Sequence, residues 1–260
     1  MDAIAGAAQG TAFTFLMTAA GSAVVFLVRN RTGGTFKRLC LGFAGGVMIA
    51  AAVWSLLIPA IDQASAQGGI GWAPAAGGLV IGVAFMLLLD VLIPHMHPAT
   101  RTIEGHRSSL KRTTLLVSAV TLHNVPEGMA VGLAFAMVAQ GTGQVGAAVA
   151  LAVGIGIQNF PEGAAISLPL RQEGLSAPRA FAGGVLSGLP EPVFGILAAV
   201  IAGTLAPLMP WLLSFAAGAM LYVVVEELIP EAHLGDHSNL GTIGVLAGFL
   251  VMMVLDVALG

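Results

Sequence analysis

Three short stretches place ionisable groups where they are costly. They read HNVPEG at 123–128, QNFPEG at 158–163 and SGLPEP at 187–192, each inside an apolar run long enough to cross a membrane. Glu127, Glu162 and Glu191 thus fall near the middle of three apolar segments, while all ten Lys and Arg lie in the loops between such segments. A charged side chain at the bilayer centre costs about 2.5–3.5 kcal/mol on insertion scales, and such residues face an interior or a wet cavity. Three carboxylates with no protein cation at their depth must be protonated or must hold a cation that comes from outside.

The neighbouring residues favour the cation. Positions three and four apart share a helix face. His123 and Glu127 are so related, with Asn124 three before the same Glu; Gln158 and Glu162 repeat the relation, with Asn159 three before. Each segment offers three convergent donors, and together they supply one ring nitrogen among carboxylate and amide oxygens. Imidazole with carboxylate suits zinc, iron, manganese and similar divalent ions. A proton relay would use the carboxylates and leave the amides unexplained. Pro126 and Pro161 cannot donate to the carbonyls of Leu122 and Ile157. In lipid that is tolerated only where the freed groups are buried or line a cavity. Paired interrupted helices point to a transporter's midplane site, so breaks at both prolines are expected. Singly, a buried Glu can bond a backbone, a His can simply pack and Met48 can be core filler. Their coincidence in three segments carries the reading.

The elements that hold these residues follow from composition. Of 260 residues 57% are hydrophobic and 9% charged, against about 25% charged in a soluble domain, and the mean hydropathy is +0.93. The chain reads as an all-α polytopic membrane protein forming one transmembrane unit, with eight spans at roughly 7–28, 39–61, 75–93, 113–139, 146–170, 180–206, 211–229 and 240–260. The Lys and Arg lie only in the loops after spans 1, 3 and 5, which makes that side cytoplasmic and puts both termini outside the cytoplasm. Spans 4 and 5 run antiparallel, so their P-E-G copies form an inverted pair. Pro59, Pro94, Pro207, Pro210 and Pro230 are expected at span ends. The pairs Gly42/Gly46, Gly78/Gly82, Gly184/Gly188 and Gly244/Gly248 predict close packing within the bundle. The N-terminus lacks the basic region of a cleaved signal peptide, so the first span is expected to be retained. One cysteine, Cys40, excludes an intrachain disulfide, and a net charge of −3 leaves no basic footprint for nucleic acid. The stretch 94–112 reads as a loop with three histidines.

The three PEG/PEP stretches and the eight-span topology resemble the ZIP (Zrt/Irt-like) divalent metal transporters of prokaryotic type, over essentially the whole chain. That resemblance implies a two-metal centre. His123, Glu127, Gln158 and Glu162 would hold one ion with Met48 at its edge; Asn124, Asn159 and Glu191 would serve a second, with Glu127 and Glu162 bridging. It also implies inverted pseudo-symmetry, an elevator-like movement, a homodimer and a place in the cell inner membrane. The cargo would be Zn²⁺, Cd²⁺, Fe²⁺ or Mn²⁺ moving into the cytoplasm, with no resident cofactor. Two departures stand out: Asn159, where some relatives have Asp, and Glu226, where some have His. Ser55, Asp62 and Asp256 mark a path at the outer side; Asp90, Glu226, Glu227, His95, His97, Glu231, His233 and His237 mark one at the inner side. The alternative is an intramembrane metalloenzyme using the same His/Glu cluster. Against it, the spans carry no H-E-x-x-H and no Ser or Cys nucleophile placed beside a His.

Overall fold

In hydrocarbon every backbone polar group has to be satisfied within its own segment, so long apolar runs fold as helices. In the computed structural model, residues 2–28, 34–93, 95–96, 103–104, 112–233 and 239–260 are described. His97, His237 and the loop cations Arg29, Arg31, Arg101, Arg107 and Lys111 lie outside them, as does the side chain of His95. Among the described residues seven helical stretches are long and apolar enough to cross a membrane: Ala3–Phe26, Arg38–Ala66, Trp72–Leu92, Val145–Gln172, Ala177–Thr204, Ala206–His233 and Leu240–Leu259. An eighth long helix, Arg112–Ala139, has 28 residues; His123, Asn124, Pro126 and Glu127 at its centre lower its hydropathy.

The α-helices are α1 (Ala3–Ser22), α2 (Gly34–Ala51), α3 (Ile58–Ala66), α4 (Trp72–Leu92), α5 (Arg112–Ala139), α6 (Val145–Gln172), α7 (Ala177–Ser187), α8 (Pro190–Thr204), α9 (Met209–Val223), α10 (Ile229–His233) and α11 (Leu240–Leu259). Within the stretch expected as loop, His95–Met96 (β1) pairs antiparallel with Ile103–Glu104 (β2).

Two groups of helices divide the molecule. In one, α1 packs on α5, α6, α7 and α8, and α5 packs on α8; in the other, α2 pairs with α11 and α4 with α9. The groups meet where α2 and α11 lie along α6 and α9 touches α5. The predicted glycine pairs all face inward. Gly42 and Gly46 abut the backbone of α11, Gly244 and Gly248 that of α2, and Gly78 and Gly82 that of α9; Gly184 and Gly188 abut Ser22 and Thr18 of α1.

The prolines behave differently from the expectation. Pro126 and Pro161 stand inside unbroken α-helices, each removing one internal bond without ending the helix. The break falls at the third motif, where α7 stops at Ser187 and α8 starts at Pro190. There Pro190 occupies the first turn, where its missing N–H is harmless. Pro59 and Pro230 do not end their spans either. The helix runs on to Ala66 and His233, and each proline is preceded by a π-helical turn, Ala52–Leu57 and Val224–Leu228. The wider turn takes up the residue that the proline ring displaces from a regular ladder.

Candidate metal centre

The glycine of each PEG motif brings a neighbouring helix onto the glutamate. A Cβ on Gly128 would strike the backbone of Glu191, and one on Gly163 would strike the carbonyl of Thr18. Only glycine lets α5 touch the start of α8 and α6 touch α1 so closely. As a result Glu127 and Glu191 are fully buried, with Asn124, Gln158 and Asn159 no more than 1% exposed. His123 and Glu162 are 5% and 6% exposed and reach the wall of a cleft.

Hydrogen bonds fix the amides. Gln158 Nε2 donates to Glu127 Oε1 at 2.7 Å, and Asn159 Nδ2 donates to Glu191 Oε2 at 2.8 Å. Asn124 Nδ2 donates to the carbonyls of Val120 (3.0 Å) and Ser187 (2.9 Å). These donors leave the other side of each group bare. Asn124 Oδ1, Glu127 Oε2, Gln158 Oε1, Asn159 Oδ1 and Glu162 Oε2 are buried and accept no hydrogen bond. A buried polar atom without a partner costs about 1–3 kcal/mol, more if charged. Five such oxygens from two facing helices form a set that a divalent cation would satisfy. Among the described residues no three His, Cys, Asp or Glu side chains stand together as a finished ligand set, because amides are interleaved with the acids.

Two contributors come from elsewhere in the chain. His123 Nε2 lies 2.5 Å from Glu227 Oε1, which the second π turn delivers from the other group of helices. Thr18 Oγ1 donates to Glu191 Oε1 at 3.2 Å from α1. The sequence reading overlooked α1. Its signal was a hydroxyl series, Thr11, Thr14, Thr18 and Ser22, on one face of an apolar helix and at most 1% exposed.

On the face where α5 starts and α6 ends, a cleft of about 560 Å³, counted to its open mouth, is lined by His123, Glu162, Glu227 and Glu231 among apolar residues. On the opposite face a wider cleft, about 1010 Å³, is lined by Ser55, Asp62, Gln63 and Asp256. Ser55 Oγ lies 2.8 and 3.0 Å from the two oxygens of Asp256 and donates to it. Fully buried Met48, Val131, Leu151 and Ile155 belong to the apolar core beyond that cleft. The other predicted path residues go elsewhere. Asp90 accepts from Tyr222 Oη at 2.9 Å, Glu226 is exposed, and His233 bonds the Ile229 carbonyl and Thr242.

A sequence profile described as "ZIP Zinc transporter" matches residues 101–256. The chain belongs to the ZIP family. Among its relatives, Zinc transporter ZIP11 of Homo sapiens is 37% identical over 96% of this chain and 96% of its own. Zinc transporter GufA of Myxococcus xanthus is 42% identical over 80% and 81%. Zinc transporter ZIPB of Bordetella bronchiseptica is 40% identical over 98% and 81%. This ZIP chain is therefore a multi-pass membrane protein of a metal-transporting family, and it is not an enzyme.

Proposed function

We propose that the chain carries Zn²⁺ and similar divalent ions, Cd²⁺, Fe²⁺ and Mn²⁺ among them, through its midplane into the cytoplasm. The observation that carries this is the set of five buried, unpartnered oxygens on α5 and α6 beside His123. His123, Glu127, Gln158 and Glu162 would ligate the ion, with Met48 at the apolar edge. A second ion on Asn124, Asn159 and Glu191, which the resemblance implies, depends on whether Glu191 has an oxygen to give.

The route has three parts. Asp62 and the Ser55–Asp256 pair attract the cation at the wide cleft. The midplane donors then replace its water. Release runs past His123 to Glu227 and Glu231 in the narrower cleft. Nearly all midplane donors ride on one group of helices, while Glu227 and Met48 belong to the other, which suits an elevator-like displacement of one group past the other. The alternation of Lys and Arg among the loops supports eight spans, a cytoplasmic basic face and both termini outside. We infer a homodimer in the cell inner membrane from the family resemblance.

The test is metal influx into liposomes holding the purified protein, across a panel of divalent ions. Selective uptake by wild type and none above empty liposomes by Glu127→Ala is expected. Equal uptake by both proteins would move the transport site away from the midplane.

A further inference from the structure

The three buried glutamates are not equivalent. Glu127 and Glu162 sit in the middle of long helices, and each keeps one oxygen without a partner. Glu191 has no oxygen without a partner. Its Oε1 accepts from Thr18 Oγ1 at 3.2 Å and its Oε2 from Asn159 Nδ2 at 2.8 Å. The Thr18 hydroxyl also lies 3.3 Å from the Thr14 carbonyl, but one proton serves one acceptor, and the charged carboxylate is the stronger of the two. Hydroxyl and amide donors of the protein thus give Glu191 the partners that Glu127 and Glu162 each lack on one oxygen.

The amide orientations reinforce the difference. Asn159 must turn Nδ2 toward Glu191, because its oxygen there would face another acceptor, and the same nitrogen lies 3.3 Å from the Thr14 carbonyl. A second ion on that side would find the neutral oxygens of Asn124 and Asn159 and no carboxylate of its own. Neutral amides alone are a poor shell for a divalent ion that has to give up water.

We propose that α1 is part of the ion-binding apparatus: Thr18, with Asn159, holds Glu191 as a structural anion, so the midplane centre takes one divalent ion, not two. Thr18 is then a positioning residue, acting on the site through Glu191 without touching the ion. This rests on the midplane transport site proposed above.

The experiment is the metal content of the purified full-length protein after equilibrium dialysis against Cd²⁺, read as ions per chain by mass spectrometry. Wild type and Glu191→Gln are expected to hold one ion each. Asn159→Asp removes the donor on Oε2 and adds a charge, and it is expected to hold two. Thr18→Val, which removes a donor from Glu191, is expected to raise the ratio above one, whereas Thr18→Ser keeps the hydroxyl and stays at one. Two ions in wild type, falling to one in Glu191→Gln, would make Glu191 a ligand and overturn the proposal. A ratio unmoved at one in Asn159→Asp would also overturn it. If wild type and Glu127→Ala both hold no metal, the failure lies instead with the midplane site itself.

Discussion

His123 offers a lone pair for which a metal and a proton compete. Only the neutral ring can ligate, and protonation adds a positive charge beside the incoming cation. Uptake into liposomes should therefore fall several-fold as pH drops from 8 to 5. In His123→Gln the rate should be lower at pH 8 and fall less steeply than in wild type. Equal steepness in the two proteins would remove His123 from the ligand set. Residues of this kind were legible in the sequence because the chemistry is local: His123 and Glu127, or Gln158 and Glu162, reveal a shared face through spacing alone. Thr18 and Glu227 were not legible in their roles. Their partners stand 173 and 104 positions away along the chain, and only folding reveals that they meet.

At the scale of elements, hydropathy located the long helices to within about five residues, because a bilayer rewards apolar length with little regard to detail. It misplaced the consequences of proline. A proline ends a helix only if nothing holds the two sides in line, and here the surrounding helices do. The sequences SLLIPA and EELIPE each become a π turn followed by α-helix, and the π turn sets which way Ser55 and Glu227 face. Pro230→Ala gives a sharp test. Without the ring, residues 224–228 can close into an α-turn, which rotates Glu227 by roughly 100° away from His123. Slower metal release is expected, seen as a reduced uptake rate in liposomes. The midpoint of thermal unfolding in detergent should rise, since interior proline costs a helix about 3 kcal/mol. A faster rate would mean that the His123–Glu227 contact hinders release.

At the scale of the whole molecule, the two clefts differ in how far they reach toward the midplane residues. The cleft lined by Glu227 and Glu231 reaches His123 and Glu162, whereas the opposite cleft ends on α6 near Ala148. This asymmetry can be read by thiol labelling in oriented vesicles after Cys40→Ser, the chain having no other cysteine. Ala165→Cys should react with a polar reagent only from the face of the Glu227 and Glu231 cleft and be protected by Cd²⁺. Gln63→Cys should react only from the other face, without protection. Labelling of Ala165→Cys from both sides would contradict this asymmetry. The stretch between the clefts has a further consequence, for voltage. From Ala148 to Gln158 is ten residues of helix, roughly 15 Å, or about half the hydrocarbon thickness. Conductive solvent in both clefts would confine the membrane's electric field to that apolar slab. A divalent ion crossing the full potential gains about 4.6 kcal/mol per 100 mV. Most of that work would be done while the ion crosses that slab, so the membrane potential would act on that one displacement and leave the approach and the exit to diffusion.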